Sequence, residues 1–378
     1  MVDCDFPGGN IIVDGIKDDT VFLHQDVRDT QGDWFYWYFR VRGAAGRTLN
    51  FEFTKGNVIG VHGPAVSTDK GWTWSWLGEE AVEETTFRYT FPNDAEEVRF
   101  CFAMPYLERN LQRFIRYYDG NPNLKVDVLC KTRKGREVEL LHLGRLDGEC
   151  DHRVLLTCRH HACEMMASYT LEGIMESILA DTKDGKWFRE HVEFLVIPFV
   201  DKDGVEDGDQ GKNRKPYDHN RDYKGESIYP SVKAIREFVP KWSEGKLKAA
   251  LDLHCPYIRG MHNEVIYMVG NSSKTVWEQQ REFGKILETV QTGPLVYQTK
   301  DDLPFGQGWN TKKNYESGKS CSRWASELGG IQLVTSFEIP YANVSGHAVT
   351  SENARAFGHD LARALRCFFL NYSLTLVD

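Results

Sequence analysis

The stretch from His152 to Leu179, HRVLLTCRHHACEMMASYTLEGIMESIL, constrains this chain more than any other. Val154 to Cys158 is a short apolar run suited to a buried strand. From about Ala162 the spacing turns helical, with Met165, Met166, Tyr169 and Ile174 among the apolar positions. A strand that ends in a tight turn and passes into a helix sets polar side chains at the carboxyl edge of a sheet, where open α/β folds place their chemistry. His160, His161 and Glu164 stand at that junction. His161 and Glu164, three apart across the turn, can lean towards one point; His160 and Glu164 form an i, i+4 pair if the helix begins earlier. A converging imidazole and carboxylate suit zinc, which accepts nitrogen and oxygen donors at about 2.0–2.2 Å. The rest of the chain must supply the third donor.

At 378 residues there is room for two domains or one large one with a sizeable core. The net charge of −9, with both signs mixed along the chain, argues against nucleic acid or an anionic membrane as the main partner. No run approaches the ~18 apolar residues of a membrane helix. The opening MVDCDFPGGN has neither the basic nor the apolar region of a secretory signal. Nine cysteines are scattered without a framework, and Cys101, Cys130, Cys158 and Cys367 sit inside apolar runs. They read as buried thiols in a reducing compartment. The expectation is a cytoplasmic protein, with its oligomeric state left open.

Residues 1–108 read as an all-β sandwich domain. Asn10 to Val13, Trp34 to Val41, Leu49 to Phe53 and Glu97 to Phe102 carry β-branched and aromatic residues, separated by Gly, Asp and Pro clusters. WFYWYFRV (Trp34 to Val41) is too aromatic for a solvated element and reads as a central strand covered on both faces. Trp72, Trp74 and Trp76 alternate with Thr73 and Ser75, so the three indoles face one way, as sandwich core or as a ladder for stacking sugars. Residues 109–378 read as a second domain, opened by a helix over Tyr106 to Tyr118. Strands at Leu124 to Thr132, Glu137 to Leu141, Val154 to Cys158, Phe194 to Val200, Lys248 to His254, Val265 to Val269 and Gln332 to Ile339 alternate with helices at Trp277 to Thr289 and from Ser351, a plausible N-cap, to about Tyr372. Such alternation predicts a mixed, largely parallel sheet flanked by helices, an α/β fold.

Three further segments carry chemistry. LDLHCP (Leu251 to Pro256) ends an apolar strand on His254. A His on a buried strand is more often a satisfied core residue than a ligand, but beside His161 and Glu164 it completes the two-His, one-carboxylate set of hydrolytic zinc enzymes. Asp252, two residues away on the same face, is placed to hold the imidazole. SFEIP (Ser336 to Pro340) buries Glu338 among Phe337, Ile339 and Pro340, which is costly unless the carboxylate has a partner or a job such as general base. Asp201 to Tyr223, DKDGVEDGDQGKNRKPYDHNRDY, reads as a long polar loop, functional or disordered. In it Lys212, Arg214, Asn220 and Arg221 supply donors suited to a carboxylate. Cys158, Cys163 and Cys255 lie nearby, yet without a CxxC pair a closed structural zinc site is not expected.

Together HHACE, DLHCP, DHNRDY and FEIP resemble the motif set of the zinc carboxypeptidases. The dense WFYWYFRV strand and the FCFAMPYLERNLQRFI junction resemble the cytosolic carboxypeptidase branch, and the resemblance covers nearly the whole chain. It implies the carboxypeptidase fold and one Zn2+ per chain, held by His161 and Glu164 of HxxE and by His254. It further implies Asn220 and Arg221 as the pair that grips a substrate's terminal carboxylate, and Glu338 as the catalytic glutamate. The chain departs from the family where NPDG is DKDG (Asp201 to Gly204) and LNR is HNR. The basic residue that polarises the scissile carbonyl has no unambiguous counterpart; Arg214 is the first choice and Lys212 the second. Tyr315 lies about where the family's mobile tyrosine would, and Arg323 where the specificity pocket is lined, which would favour an acidic C-terminal residue. The activity implied is removal of C-terminal residues from peptides or proteins. Two alternatives stand beside it: an aspartoacylase-like N-acyl amino acid deacylase, and a non-catalytic binding protein on the same fold.

Overall fold

A computed structural model describes residues 1–375. Ten short strands come first: β1 (Val2–Asp3), β2 (Ile12–Lys17), β3 (Thr20–His24), β4 (Tyr38–Arg42), β5 (Thr48–Phe53), β6 (Ala65–Ser67), β7 (Ser75–Trp76), β8 (Val82–Glu83), β9 (Thr86–Thr90) and β10 (Glu97–Cys101). They make two five-stranded sheets, ordered β1-β4-β10-β6-β7 and β2-β3-β5-β9-β8. Along β5 every second residue (Leu49, Phe51, Phe53) is buried while Thr48, Asn50 and Glu52 are partly solvated, the pattern of a strand with one face on a core. Rings from the two sheets meet between them: Phe39 on Phe51 at 5.4 Å, Phe100 on Phe87 at 5.3 Å, Trp37 on Phe53 at 4.8 Å. This is a β-sandwich with an aromatic core.

The last strand of the sandwich ends at Cys101, and helix α1 (Glu108–Tyr117) follows. No boundary in the packing separates the two. Phe35 and Phe102 lie against Tyr341, at 5.4 and 4.9 Å, and Tyr106 against Tyr169 at 5.0 Å, so one hydrophobic cluster runs from the sandwich into the rest of the chain.

The second layer is a seven-stranded sheet of β11 (Leu124–Lys131), β12 (Glu137–Gly144), β13 (His152–Cys158), β14 (Val192–Ile197), β15 (Leu247–His254), β16 (Tyr267–Val269) and β17 (Leu333–Glu338), ordered β11-β12-β14-β13-β15-β17-β16. The central strands β14, β13, β15 and β17 run parallel, and β11, β12 and β16 pair antiparallel at the edges. Both faces are covered, which is why these strands read as continuous apolar runs. On β13, Val154 and Leu156 join one core, with α2 (Met165–Leu179) and the last helix, α4 (Ser351–Thr375), while Leu155 joins another, with α3 (Pro230–Ser243). Helix α2 is buried on nearly every side, between sheet and α4. The two helices cross closely through Gly173 and Gly358: a Cβ on Gly173 would lie 2.1 Å from the Arg355 carbonyl oxygen.

Three local expectations are corrected. Only Ser75–Trp76 of the tryptophan alternation is strand, and the indoles take three separate settings. Trp72 is exposed under the Arg109 guanidinium (4.8 Å), Trp74 packs on Tyr38 (5.6 Å), and Trp76 donates to the Val349 carbonyl (2.8 Å). They form neither a shared core face nor a stacking ladder. The 201–223 stretch is not a bare loop: Asp201 caps a short helix over Lys202–Asp207, which Gly208 ends at φ 75°, and a single 3-10 turn covers His219–Arg221. Ser351 lies inside the last helix, and the Thr350 hydroxyl accepts from the Asn353 amide in its place.

Candidate active site

Three neighbouring parallel strands, β13, β15 and β17, end side by side. The register sets Thr157 opposite Asp252 and His254 opposite Glu338, so DLH and FE reach one edge by sheet pairing alone. The chain leaves β13 through Arg159 at φ 58°, a strained conformation for a side chain with a Cβ. The Arg159 guanidinium folds under the turn, donating to the Ala162 carbonyl (3.1 Å from Nε), the Tyr106 carbonyl (2.8 Å) and Ser168 Oγ (3.1 Å). His161 and Glu164 are thereby turned towards the strand end that bears His254.

There, His161 Nδ1 lies 2.9 Å from Glu164 Oε1, and His254 Nδ1 lies 2.7 Å from Glu164 Oε2. Behind His254, Nε2 lies 2.7 Å from Asp252 Oδ2 and 3.2 Å from Asn220 Nδ2. Nε2 cannot donate to one and accept from the other. Burial would lower His254, but Asp252 and Glu164 outweigh it and raise the imidazole well above its usual range, so both nitrogens carry protons, Nε2 donating to Asp252 and Nδ1 to Glu164. His161 Nε2 has a looser carboxylate behind it, Asp218 at 3.6 Å. A carboxylate behind each ligand imidazole is the arrangement that orients metal-bound histidines. Burial alone would raise Glu164, but His161, Lys212 and His254 outweigh it and hold the group well below the usual carboxylate range. Two imidazole Nδ1 atoms converging on a buried, ionised carboxylate, with one side open to a cavity, fit a zinc ion, which would take the place of their protons. His160 faces elsewhere: its Nε2 meets the Tyr223 hydroxyl at 2.7 Å and its Nδ1 meets Asp252 Oδ1 at 2.8 Å, in a separate buried group with Cys321.

A cavity of about 330 Å³ opens over this group, lined among others by His161, Lys212, Asn220, Arg221, His254, Tyr315 and Glu338. Glu338 Oε2 is buried without a hydrogen-bond partner. Burial pushes this carboxyl up to about 7, with the Glu164 charge adding to it and His254 and Lys212 opposing. Lys212 Nζ stands 2.6 Å from Glu164 Oε1 and over the Trp34 ring at 5.1 Å. Arg221 is fixed by the carbonyls of Asn314 (3.0 Å) and Asn220 (2.8 Å), and Asn220 Oδ1 accepts from the Cys321 amide (2.9 Å). The Tyr315 hydroxyl donates to Asn310 Oδ1 at 3.1 Å, and its ring carries the Arg323 guanidinium at 3.4 Å. Arg323 Nη2 is buried with no hydrogen-bond partner, and burial lowers its pKa.

Arg214, the first choice for polarising a carbonyl, is placed elsewhere. Its Nε lies 2.9 Å from Asp29 Oδ2, one Nη 2.6 Å from Asp201 Oδ2 and the other 2.8 Å from Asp209 Oδ2. It lines a second cavity, of about 420 Å³, with Asp29, Asp201 and Asp209. Three carboxylates hold the guanidinium there, and Arg214 is not among the residues that line the cavity over the His161, Glu164 and His254 group. Sequence spacing cannot distinguish it from Lys212, two residues away.

Several lining residues have no signal in the sequence reading. Trp34, the first residue of the aromatic run and outside its strand, and Tyr257, Trp309 and Tyr267 form the apolar wall of the cavity. Asp218 could have been found, since it stands directly before the HNR element and its carboxylate accepts from the Asn213 and Asn220 amides (3.2 and 3.0 Å).

The zinc carboxypeptidase family model matches residues 112–361, and the chain belongs to that family. Among curated proteins it is 28% identical over 216 residues to cytosolic carboxypeptidase 3 of Bos taurus, covering 53% of this chain and 21% of the relative. It is 25% identical over 306 residues to cytosolic carboxypeptidase 2 of Xenopus tropicalis, covering 76% of this chain and 30% of the relative. The chain thus spans less than a third of the length of these relatives. A solved metallo-carboxypeptidase from Burkholderia cenocepacia superposes with a TM-score of 0.80 at 18% identity, over 98% of this chain and 99% of that one. One from Pseudomonas aeruginosa, in complex with (2-guanidinoethylmercapto)succinic acid, gives 0.76 at 18%, with 98% and 99% covered. The fold is therefore shared along the whole described chain, sandwich included.

Proposed function

We propose that this protein is a zinc metallocarboxypeptidase that removes C-terminal residues from peptides or proteins, with a preference for an acidic last residue. The observation that carries the reading is the convergence, in one cavity, of His161, Glu164 and His254 with a partnerless Glu338 Oε2 and with Lys212 and Arg221. His161, Glu164 and His254 would hold one zinc ion per chain, which when bound supplies Lewis acidity, lowering the pKa of water and polarising the scissile carbonyl. Glu338 is the general base. A buried carboxyl near 7 takes a proton from the attacking water and returns it to the leaving amine. Lys212 takes the oxyanion role in place of Arg214, because it is the basic side chain that reaches the metal-ligand group. Arg221, with Asn220, receives the terminal carboxylate, which confines cleavage to the chain end. Arg323, stacked on Tyr315 with an unmade hydrogen bond, offers the cation for an acidic side chain. Tyr315 closes that side of the pocket. The names of the curated relatives favour a cytoplasmic setting, and no helix among the described residues is long and apolar enough to cross a membrane.

The test is release of free amino acids from peptides differing only in their last residue, with and without a zinc chelator, and beside them an N-acyl aspartate. Chelator-sensitive release, fastest from peptides ending in glutamate, is expected. Turnover of the N-acyl aspartate alone by zinc-loaded protein would overturn the reading in favour of a deacylase.

A further inference from the structure

Lys212 owes its place to residues of the N-terminal sandwich. The backbone of 210–212 threads between two walls. On one side it meets the metal-ligand turn: the Cys163 amide donates to the Gln210 carbonyl at 3.1 Å. A Cβ on Gly211, itself at φ 78°, would lie 2.1 Å from the Ala162 nitrogen, so only glycine passes there. On the other side lies the segment from Asp26 to Tyr36. Gln210, fully buried, accepts from the Tyr36 amide (2.7 Å) and donates to the carbonyls of Tyr36 (2.9 Å) and Asp26 (3.1 Å). Asp29 accepts from three donors in five residues: the Gln210 amide (3.0 Å), the Gly211 amide (2.8 Å) and Arg214 Nε (2.9 Å). The Thr30 hydroxyl donates to the Lys212 carbonyl.

We infer that Asp29 is a positioning residue for Lys212: its carboxylate binds the two backbone amides that precede the lysine and the Arg214 side chain that follows it, so that the ammonium is held at the edge of the His161, Glu164 and His254 group. This rests on the reading of Lys212 as oxyanion donor. A carboxylate suits the task because it only accepts, and its two oxygens can serve all three donors at once. An asparagine of the same shape would turn an NH2 towards one of them and leave that donor unpaired. Arg214 belongs to the same clamp, as the cation that fixes Asp29 between Asp201 and Asp209. On this view the sandwich completes the active site as well as lying beside it, since neither Lys212 nor its Trp34 platform is held without it.

The experiment compares Asp29→Asn, Lys212→Met and the double variant in the full-length, zinc-loaded protein, on the peptide cleaved fastest by the unmodified enzyme. For Asp29→Asn, kcat is expected to fall by about 10- to 100-fold, the scale of a misplaced catalytic group, while KM stays within about threefold. In the Lys212→Met background the same substitution should cost less than about twofold, because the group it positions is gone. A readout independent of turnover is amide hydrogen exchange, which should speed up in 210–212 while β13 and β15 stay as protected as before. Equal loss in both backgrounds, or unchanged exchange over 210–212, overturns the inference. Should Lys212→Met itself leave kcat untouched, the oxyanion reading falls and the exchange result alone decides the clamp. If Asp29→Asn does not fold, Thr30→Val, which removes one hydroxyl, carries the same comparison with a smaller expected loss.

Discussion

Replacing Lys212 by methionine separates what this side chain does for the fold from what it does for the chemistry. In the metal-free protein its ammonium is the cation nearest Glu164, at 2.6 Å, and both side chains are largely buried. His161 and His254 still face Glu164, so removing the lysine strands part of its charge, at up to about 3–5 kcal/mol. Unfolding entropy near 2.1 cal/mol/K per residue gives roughly 0.8 kcal/mol/K for 378 residues, so the metal-free Tm should drop by up to about 4–6 °C. With zinc bound, Glu164 pairs with a dication whether or not the lysine is present, and the drop should shrink to about 1 °C, a residue of lost packing. Activity should respond the opposite way: zinc-loaded Lys212→Met should lose about 10²–10³ in kcat, the value of one oxyanion donor. Arg214→Gln is the control. It strands Asp29, Asp201 and Asp209 away from the metal, so its Tm should fall alike with and without zinc. Scanning calorimetry of both variants, metal-free and zinc-loaded, checks this. An equal Tm loss for Lys212→Met in the two states would refute the reasoning, because Glu164 would then not be the group that lysine and metal share.

Glu338→Gln keeps the shape of the side chain and removes the base, so kcat should fall by about 10²–10⁴ at unchanged zinc content, measured by peptide turnover and metal analysis. Arg323→Ala should cost peptides ending in glutamate about 10- to 100-fold in kcat/KM relative to leucine, the worth of a charge-assisted hydrogen bond; an unchanged ratio sinks the acidic preference. Asp302 lies beside the edge strand β16, accepting from the Met268 amide and the Tyr297 hydroxyl (both 2.8 Å), and burial pushes its carboxyl up to about 7. A raised acid is at its most favourable below its unfolded value near 3.8 and costs stability progressively as pH climbs to about 7, on the order of 4 kcal/mol in all. Asp302→Asn should therefore gain Tm on the unmodified protein as pH rises from about 5 to 8; a difference that does not move with pH would show that the carboxyl is ionised throughout.

How much of this site a sequence can disclose depends on what holds each residue in place. His254 and Glu338 are adjacent because β15 and β17 are paired parallel strands, and an apolar run ending on a polar residue is visible in one dimension. His161 and Glu164 are adjacent through a turn three residues long, which spacing also captures. Choosing His161 over His160 needed the turn's handedness, set by Arg159 at φ 58°, and no periodicity encodes that. The strand and helix pattern of the α/β sheet was legible for the same reason as His254. The tryptophan alternation was not, because period two implies a shared face only where a strand continues, and here it lasts two residues.

Lys212 and Arg214 mark the limit. They share a charge, a segment and an alternating position, and local sequence makes the arginine the better anion binder. What separates them is Asp29, some 180 residues earlier, which with Asp201 and Asp209 holds Arg214 outside the cavity, while Lys212 reaches Glu164. Which basic side chain faces Glu164 is thus tied to a contact between the sandwich and a polar loop. Such a contact leaves no trace in hydropathy or spacing, because each partner taken alone is an ordinary charged residue in a solvated-looking stretch. Residues placed by backbone pairing can be read from a chain; residues placed by long-range charge pairing have to be seen folded.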